Sequence, residues 1–200
     1  MRARKIGTEL RQEQIIETAL ELIGTEGFSA LSVARIAGRV GIAPSALYRH
    51  FKSKDNVLDA VLELIKRQLL VTVAQVSKET PEALQRLKSL LMRQARMLNE
   101  NRAIPYVVFS DGVYTGHPER KAKVAEIITS YLGGIQNIIE EGMQNGAIRE
   151  DVLPTTASIM FLGMILPAAV LSNVSQGRFD MITHAKNVWP AFAKCIAAKK

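Results

Sequence analysis

A chain of 200 residues, 48% hydrophobic and 22% charged, has room for one domain or a small domain fused to a larger one, and its apolar content excludes a disordered chain. Its one cysteine, Cys195, excludes an internal disulfide framework and a multi-cysteine zinc site, which suits a reducing compartment. The formal net charge of +7 is compatible with a nucleic acid, a lipid surface or solubility alone.

The early residues are basic and polar (Arg2, Arg4, Lys5), with no apolar signal core behind them. The longest apolar run, 159–171, is 13 residues, short of the roughly 18 that a membrane span needs. The expectation is a soluble cytoplasmic protein that works at the nucleoid, without a membrane partner.

The apolar spacing is helical from end to end. Residues 14–23 set Ile15, Ile16, Ala19, Leu20 and Ile23 on one stripe, and Gly24 and Gly27 close this first helix. Ser32 is placed to cap a short second helix with Ile36, Ala37 and Val40 inward, ended by Gly41. Pro44 suits the first turn of a third helix reaching about residue 50. Ser53 then caps a long fourth helix to about residue 77, with Asp55 near its positive end. Thr80-Pro81-Glu82 opens a fifth, residues 104–111 form a sixth, and 119–144 a seventh with Gly133-Gly134 at its middle. Residues 154–176 and 179–197 supply the last two. The fold class is therefore all-α, with about nine helices, a small N-terminal three-helix module and a larger helical body.

Residues 31–58, LSVARIAGRVGIAPSALYRHFKSKDNVL, have the physics of a helix-turn-helix. Two short helices flank a turn at Gly41, where a positive φ is easily adopted. Pro44, Ser45, Ala46, Tyr48, Arg49 and His50 then lie on the second helix, the one that would enter a DNA groove. Arg49 can donate two hydrogen bonds to guanine, Ser45 and Tyr48 can donate to phosphates or base edges, and Ala46 can touch a thymine methyl. Lys54 sits where free helix N–H groups already favour a phosphate, and Lys52 adds charge beside it. Arg35 and Arg39 can meet the flanking backbone, and the Arg2, Arg4, Lys5 tail an adjacent groove. For Tyr48 the alternative is a brace under the turn, for Arg49 a solvated charge, and for His50 packing at the helix end.

This segment resembles the DNA-binding domain of the TetR (tetracycline-repressor-like) family of bacterial transcription regulators. Gly27-Phe28, Val33, Ile36-Ala37, Val40-Gly41-Ile42, Leu47-Tyr48-Arg49-His50-Phe51 and Lys52-Ser53-Lys54 carry the resemblance, together with Leu58. It covers about the first 60 residues. It implies a DNA-binding domain over residues 1–53 and a ligand-binding and dimerisation domain over 54–200. It also implies a homodimer on a palindromic operator in double-stranded DNA, released when a small effector of unknown identity shifts helix four. Ala43 and Pro44 depart from the pattern, since many members carry a polar cap there.

In the body, Met92, Arg96, Tyr106, Phe109, Tyr131, Met160 and Met164 are the candidate lining of an effector pocket; the alternative for any one of them is ordinary core. Their apolar character points to a lipophilic or aromatic effector, with Arg96 against an anionic head. Phe161, Leu166, Val170, Trp189 and Phe192 are the candidate dimer interface, because so apolar a stripe must be buried. His117 and His184 have no partner at ligand spacing, so no metal or cofactor is expected. Nor does any nucleophile–base pair or phosphate loop support an enzyme. A different class of reading is a DNA-bound adaptor whose body binds another protein.

Overall fold

The computed structural model describes residues 2–109 and 111–199, with side chains described from residue 7 onward except at 111 and 112. Helix α1 spans Arg2–Glu26. A 3-10 turn at Phe28–Ala30 follows, then α2 (Val33–Val40), α3 (Pro44–Leu47) and α4 (Lys54–Glu79). Beyond them come α5 (Ala83–Glu100), α6 (Ala103–Phe109), α7 (Asp111–Tyr114) and α8 (Pro118–Gln144). Last are α9 (Pro154–Gly163), α10 (Leu166–Val174) and α11 (Met181–Ile196). Among the described residues there is no strand, only an isolated bridge between Ile148 and Ala197.

Among the described residues there are eleven α-helices, and nine result when α6 with α7, and α9 with α10, are each counted together. The break between α9 and α10 is a turn at Met164 and Ile165 ahead of Pro167, which has no N–H to continue the ladder. Helix α1 takes in Arg2, Arg4 and Lys5, whose reach into an adjacent groove would need a disordered tail; their side chains lie outside the described ones.

By its contacts the chain divides into two units, 1–65 with 101–124, and 66–100 with 125–200. This division does not fall at residue 53. The first unit keeps the start of α4 and takes in α6, which packs on α1 where Gly24 meets Ala103; a Cβ at Gly24 would lie 3.1 Å from the Ala103 nitrogen.

In the first unit, Ile15, Leu22, Ile23, Ile36, Leu47 and Leu58 are fully buried. The caps follow from the sequence. Ser32 Oγ accepts from Arg35 N at 3.3 Å. Gly41, at φ 75°, ends α2, and Ile42 N donates back to Ala37 O at 2.9 Å, which satisfies a terminal carbonyl. Ser53 Oγ accepts from Asn56 N at 3.2 Å at the start of α4.

In the second unit, α11 packs on α5 and α10. Phe161, Trp189 and Phe192 form an aromatic cluster, with Phe161 edge-on to Phe192 at 5.8 Å. Asp180 caps α11 through Ile182 N and Thr183 N, and the Thr183 hydroxyl, followed by the backbone donors, holds its carboxyl below the usual range. Gly133 and Gly134 behave differently. A Cβ at Gly134 would lie 2.8 Å from Val73 Cγ1 on α4, whereas one at Gly133 would meet nothing within 4 Å.

Candidate DNA-binding face, cavity and apolar stripe

The regular part of the third helix stops at Leu47, four residues in, rather than at His50. Ala43 offers no side-chain cap, and the chain tightens into a turn in which Arg49 N bonds Ala46 O at 3.3 Å and His50 N bonds Leu47 O at 2.8 Å. The turn carries the expected face outward. Pro44, Ser45, Arg49, Lys52 and Lys54 are exposed, Tyr48 is 55% exposed, and Ala46 is half-buried. His50 is half-buried, with Nδ1 enclosed and unpartnered among the described residues, so it serves partly as packing. Leu47 and Phe51 anchor the segment from beneath.

Arg35 is differently placed from its expected role. It pairs with Glu26 at the end of α1, and Arg39 joins the same carboxylate at 2.7 Å and Glu21 at 3.3 Å. These acids of the first helix neutralise the arginines of the second, so the free positive charge concentrates at Arg49, Lys52 and Lys54.

The seven candidate pocket residues fall in both units. Tyr106 and Phe109 are exposed and belong to the first unit. Arg96 and Met160 are exposed, and Met92 and Met164 half-buried, in the second. Tyr131 lines a cavity with Leu69, Thr72, Leu90, Arg93, Gln94 and Met97 around it. Its volume is about 10 Å³, room for about one water. Tyr131 Oη donates to Gln94 Oε1 at 2.8 Å, and burial pushes the phenol well above its usual pKa, so it stays neutral. Arg93 is held by Glu79 and by Gln75 Oε1 at 3.1 Å. The missed Gln94 had a signal: it is the polar member of an inward stripe with Leu87, Leu90, Leu91 and Leu98.

The expected dimer residues also divide. Phe161, Trp189 and Phe192 are the protomer's own core, because the three rings pack on one another, and Leu166 is half-buried. Val170 is exposed, on a stripe with Ile159, Met160, Leu171 and Val174. The opposite side of the same helices buries Ala157, Phe161, Ala168 and Ala169. The 13-residue apolar run lies within a longer segment, Pro154–Val174, of 21 residues; an 18-residue window of it, with mean hydropathy 1.9 and 39% buried within the protein, is long and apolar enough to cross a membrane by length and composition.

Among the described residues, no three of His, Cys, Asp and Glu are grouped to hold a metal ion. A surface groove of about 470 Å³ is lined by Asp55, Asp59 and residues 116–120; its Arg120 is almost fully buried.

Comparison with known proteins places these features. A family model described as bacterial regulatory proteins of the tetR family matches residues 15–61, and one described as the C-terminal region of YsiA-like proteins matches residues 56–195. The fatty acid metabolism regulator protein of Bacillus subtilis (strain 168) is 25% identical over 175 residues, 88% of this chain and 90% of that protein. The nucleoid occlusion factor SlmA of Idiomarina loihiensis is 23% identical over 131 residues, 66% of this chain and 67% of that one. Among solved structures, the transcriptional regulator FadR from Bacillus subtilis in complex with stearoyl-CoA superposes with a TM-score of 0.75 at 23% identity, covering 90% of this chain and 97% of that one.

Proposed function

The chain belongs to the tetR family of bacterial regulatory proteins and is a DNA-binding transcription regulator rather than an enzyme, and from that premise we propose a homodimeric repressor of a palindromic operator, released by a lipophilic anionic effector of the acyl-thioester class. In this reading residues 1–53 bind DNA, residues 54–200 bind the effector and the second subunit, and the protein works in the cytoplasm at the nucleoid. Arg49 reads a base, Ser45, Tyr48, Lys52 and Lys54 hold phosphates, and Ala46 packs on a thymine methyl.

The observation that carries this reading is the outward face of Ser45, Tyr48, Arg49, Lys52 and Lys54 on a buried Leu47–Phe51 anchor. The effector class is supported by the likeness to a fatty acid metabolism regulator. The dimer is supported by the exposed stripe of Ile159, Met160, Val170, Leu171 and Val174, which a second copy would cover through a symmetric contact.

The test is anisotropy on a duplex that the protein itself selects from a random-sequence pool. Stearoyl-CoA should release the duplex, and free coenzyme A should not. Equal behaviour of the two would remove the acyl reading and leave the DNA reading standing. A second reading, a DNA-bound adaptor, is favoured by the likeness to a nucleoid occlusion factor. It predicts that no acyl chain length releases DNA.

A further inference from the structure

We propose that Arg120 is a positioning residue for operator recognition: its guanidinium locks the start of α4, which directly follows the helix-turn-helix segment, at the angle that specific binding needs. This rests on the DNA-binding reading and adds to it a residue outside the DNA face.

Arg120 lies in the first turn of α8 and is only 5% exposed. Its Nε donates to Asp59 Oδ1 at 3.0 Å, Nη2 to Asp55 Oδ1 at 3.2 Å, and Nη1 to the carbonyl of Val113 on α7 at 3.0 Å. One rigid fork thus joins α4, α7 and α8. Lys123, one turn further along α8, pairs with Glu63 of α4 at 3.0 Å. Asp55 directly follows Lys54 in sequence and precedes Asp59 by one turn.

So buried a charge is costly unless it is fully paired, and removing one partner strands the other charge. Replacing the whole set with apolar or neutral groups of similar size is far less costly, so fixed geometry, more than stability, is what the ion pairs uniquely provide. The planar fork suits that task, because it fixes directions that a lysine ammonium does not. Specific DNA contacts depend on direction, whereas phosphate attraction at large is tolerant of small rotations. A freed α4 should therefore lose sequence preference while keeping general affinity.

The experiment measures the affinity of the full chain for a selected duplex and for a scrambled one at fixed salt. The ratio of the two cancels uniform changes in charge. Arg120→Met should lower the ratio about tenfold, the loss given by one mismatched base pair, with the scrambled duplex bound nearly as before. Arg120→Lys should restore part of the ratio. Because Arg120→Met leaves two part-exposed carboxylates unpaired beside each other, the triple variant Arg120→Met, Asp55→Asn, Asp59→Asn is the folded control, verified by thermal unfolding. It should unfold near the parent temperature and still show the lowered ratio. A triple variant that folds and keeps the parent ratio overturns the proposal. A parent that selects no sequence removes the DNA-binding reading instead, and the proposal with it.

Discussion

Two basic side chains on the same exposed surface should answer differently to removal. Arg49→Ala should cost about 1–3 kcal/mol and flatten base preference at one operator position. Lys54→Ala should weaken every sequence alike and reduce the salt slope by about 0.9, one phosphate contact. Titration of selected and scrambled duplexes across a salt series separates the two. The Tyr131–Gln94 pair makes a different kind of prediction. Tyr131→Phe leaves the buried Gln94 carbonyl without a donor, at a cost of about 1–3 kcal/mol. Tyr131→Phe with Gln94→Met should recover most of that loss in urea unfolding, since neither polar partner then remains. The phenol's raised pKa also fixes a direction. Unfolding frees a tyrosine that ionises near its ordinary value of 10.0, so stability is full below that value and declines as pH rises above it.

At the scale of the helix, two adjacent glycines of α8 should respond oppositely to alanine. Gly133 has open space, so Gly133→Ala should stabilise by up to about 1 kcal/mol through helix propensity alone. Gly134→Ala drives a methyl into Val73 and should destabilise by about 1–3 kcal/mol, with Val73→Ala relieving it. Thermal unfolding of the two single variants checks the contrast. The helices themselves were legible because local chemistry fixes them: Ser32, Gly41 and Ser53 sit at their ends whatever the tertiary partners. The length of α3 was less legible, because Leu47 is followed by a tightened turn that keeps helical spacing without a regular ladder. The turn at Met164 was hidden in a continuous apolar run, where period alone gives no sign of a break. His184 from α11 reaches the Met164 carbonyl at 2.8 Å there, a long-range contact that no local pattern encodes.

For the whole molecule, the apolar stripe gives the sharpest expectation. Ile159→Glu and Val170→Glu should produce folded monomers in sedimentation equilibrium, since both side chains are exposed on the protomer. Phe192→Glu should fail to fold, because its ring belongs to the internal cluster. Apolar composition could not tell these cases apart beforehand: a phenylalanine inside a protomer and one between two protomers have the same sequence signature. The cavity lining was poorly legible for a related reason. Methionines and aromatics at helical spacing fill cores as readily as they line cavities, and the residues around Tyr131 were marked only by one polar position in an apolar stripe. The volume beside Tyr131 carries a kinetic consequence. A space of about 10 Å³ holds about one water, so any larger ligand entering there would need a rarer, expanded population, and its apparent affinity would be reduced by the fraction of molecules in that population. Leu90→Ala, which enlarges the space from its wall, should therefore speed effector association in stopped-flow measurements while lowering thermal stability.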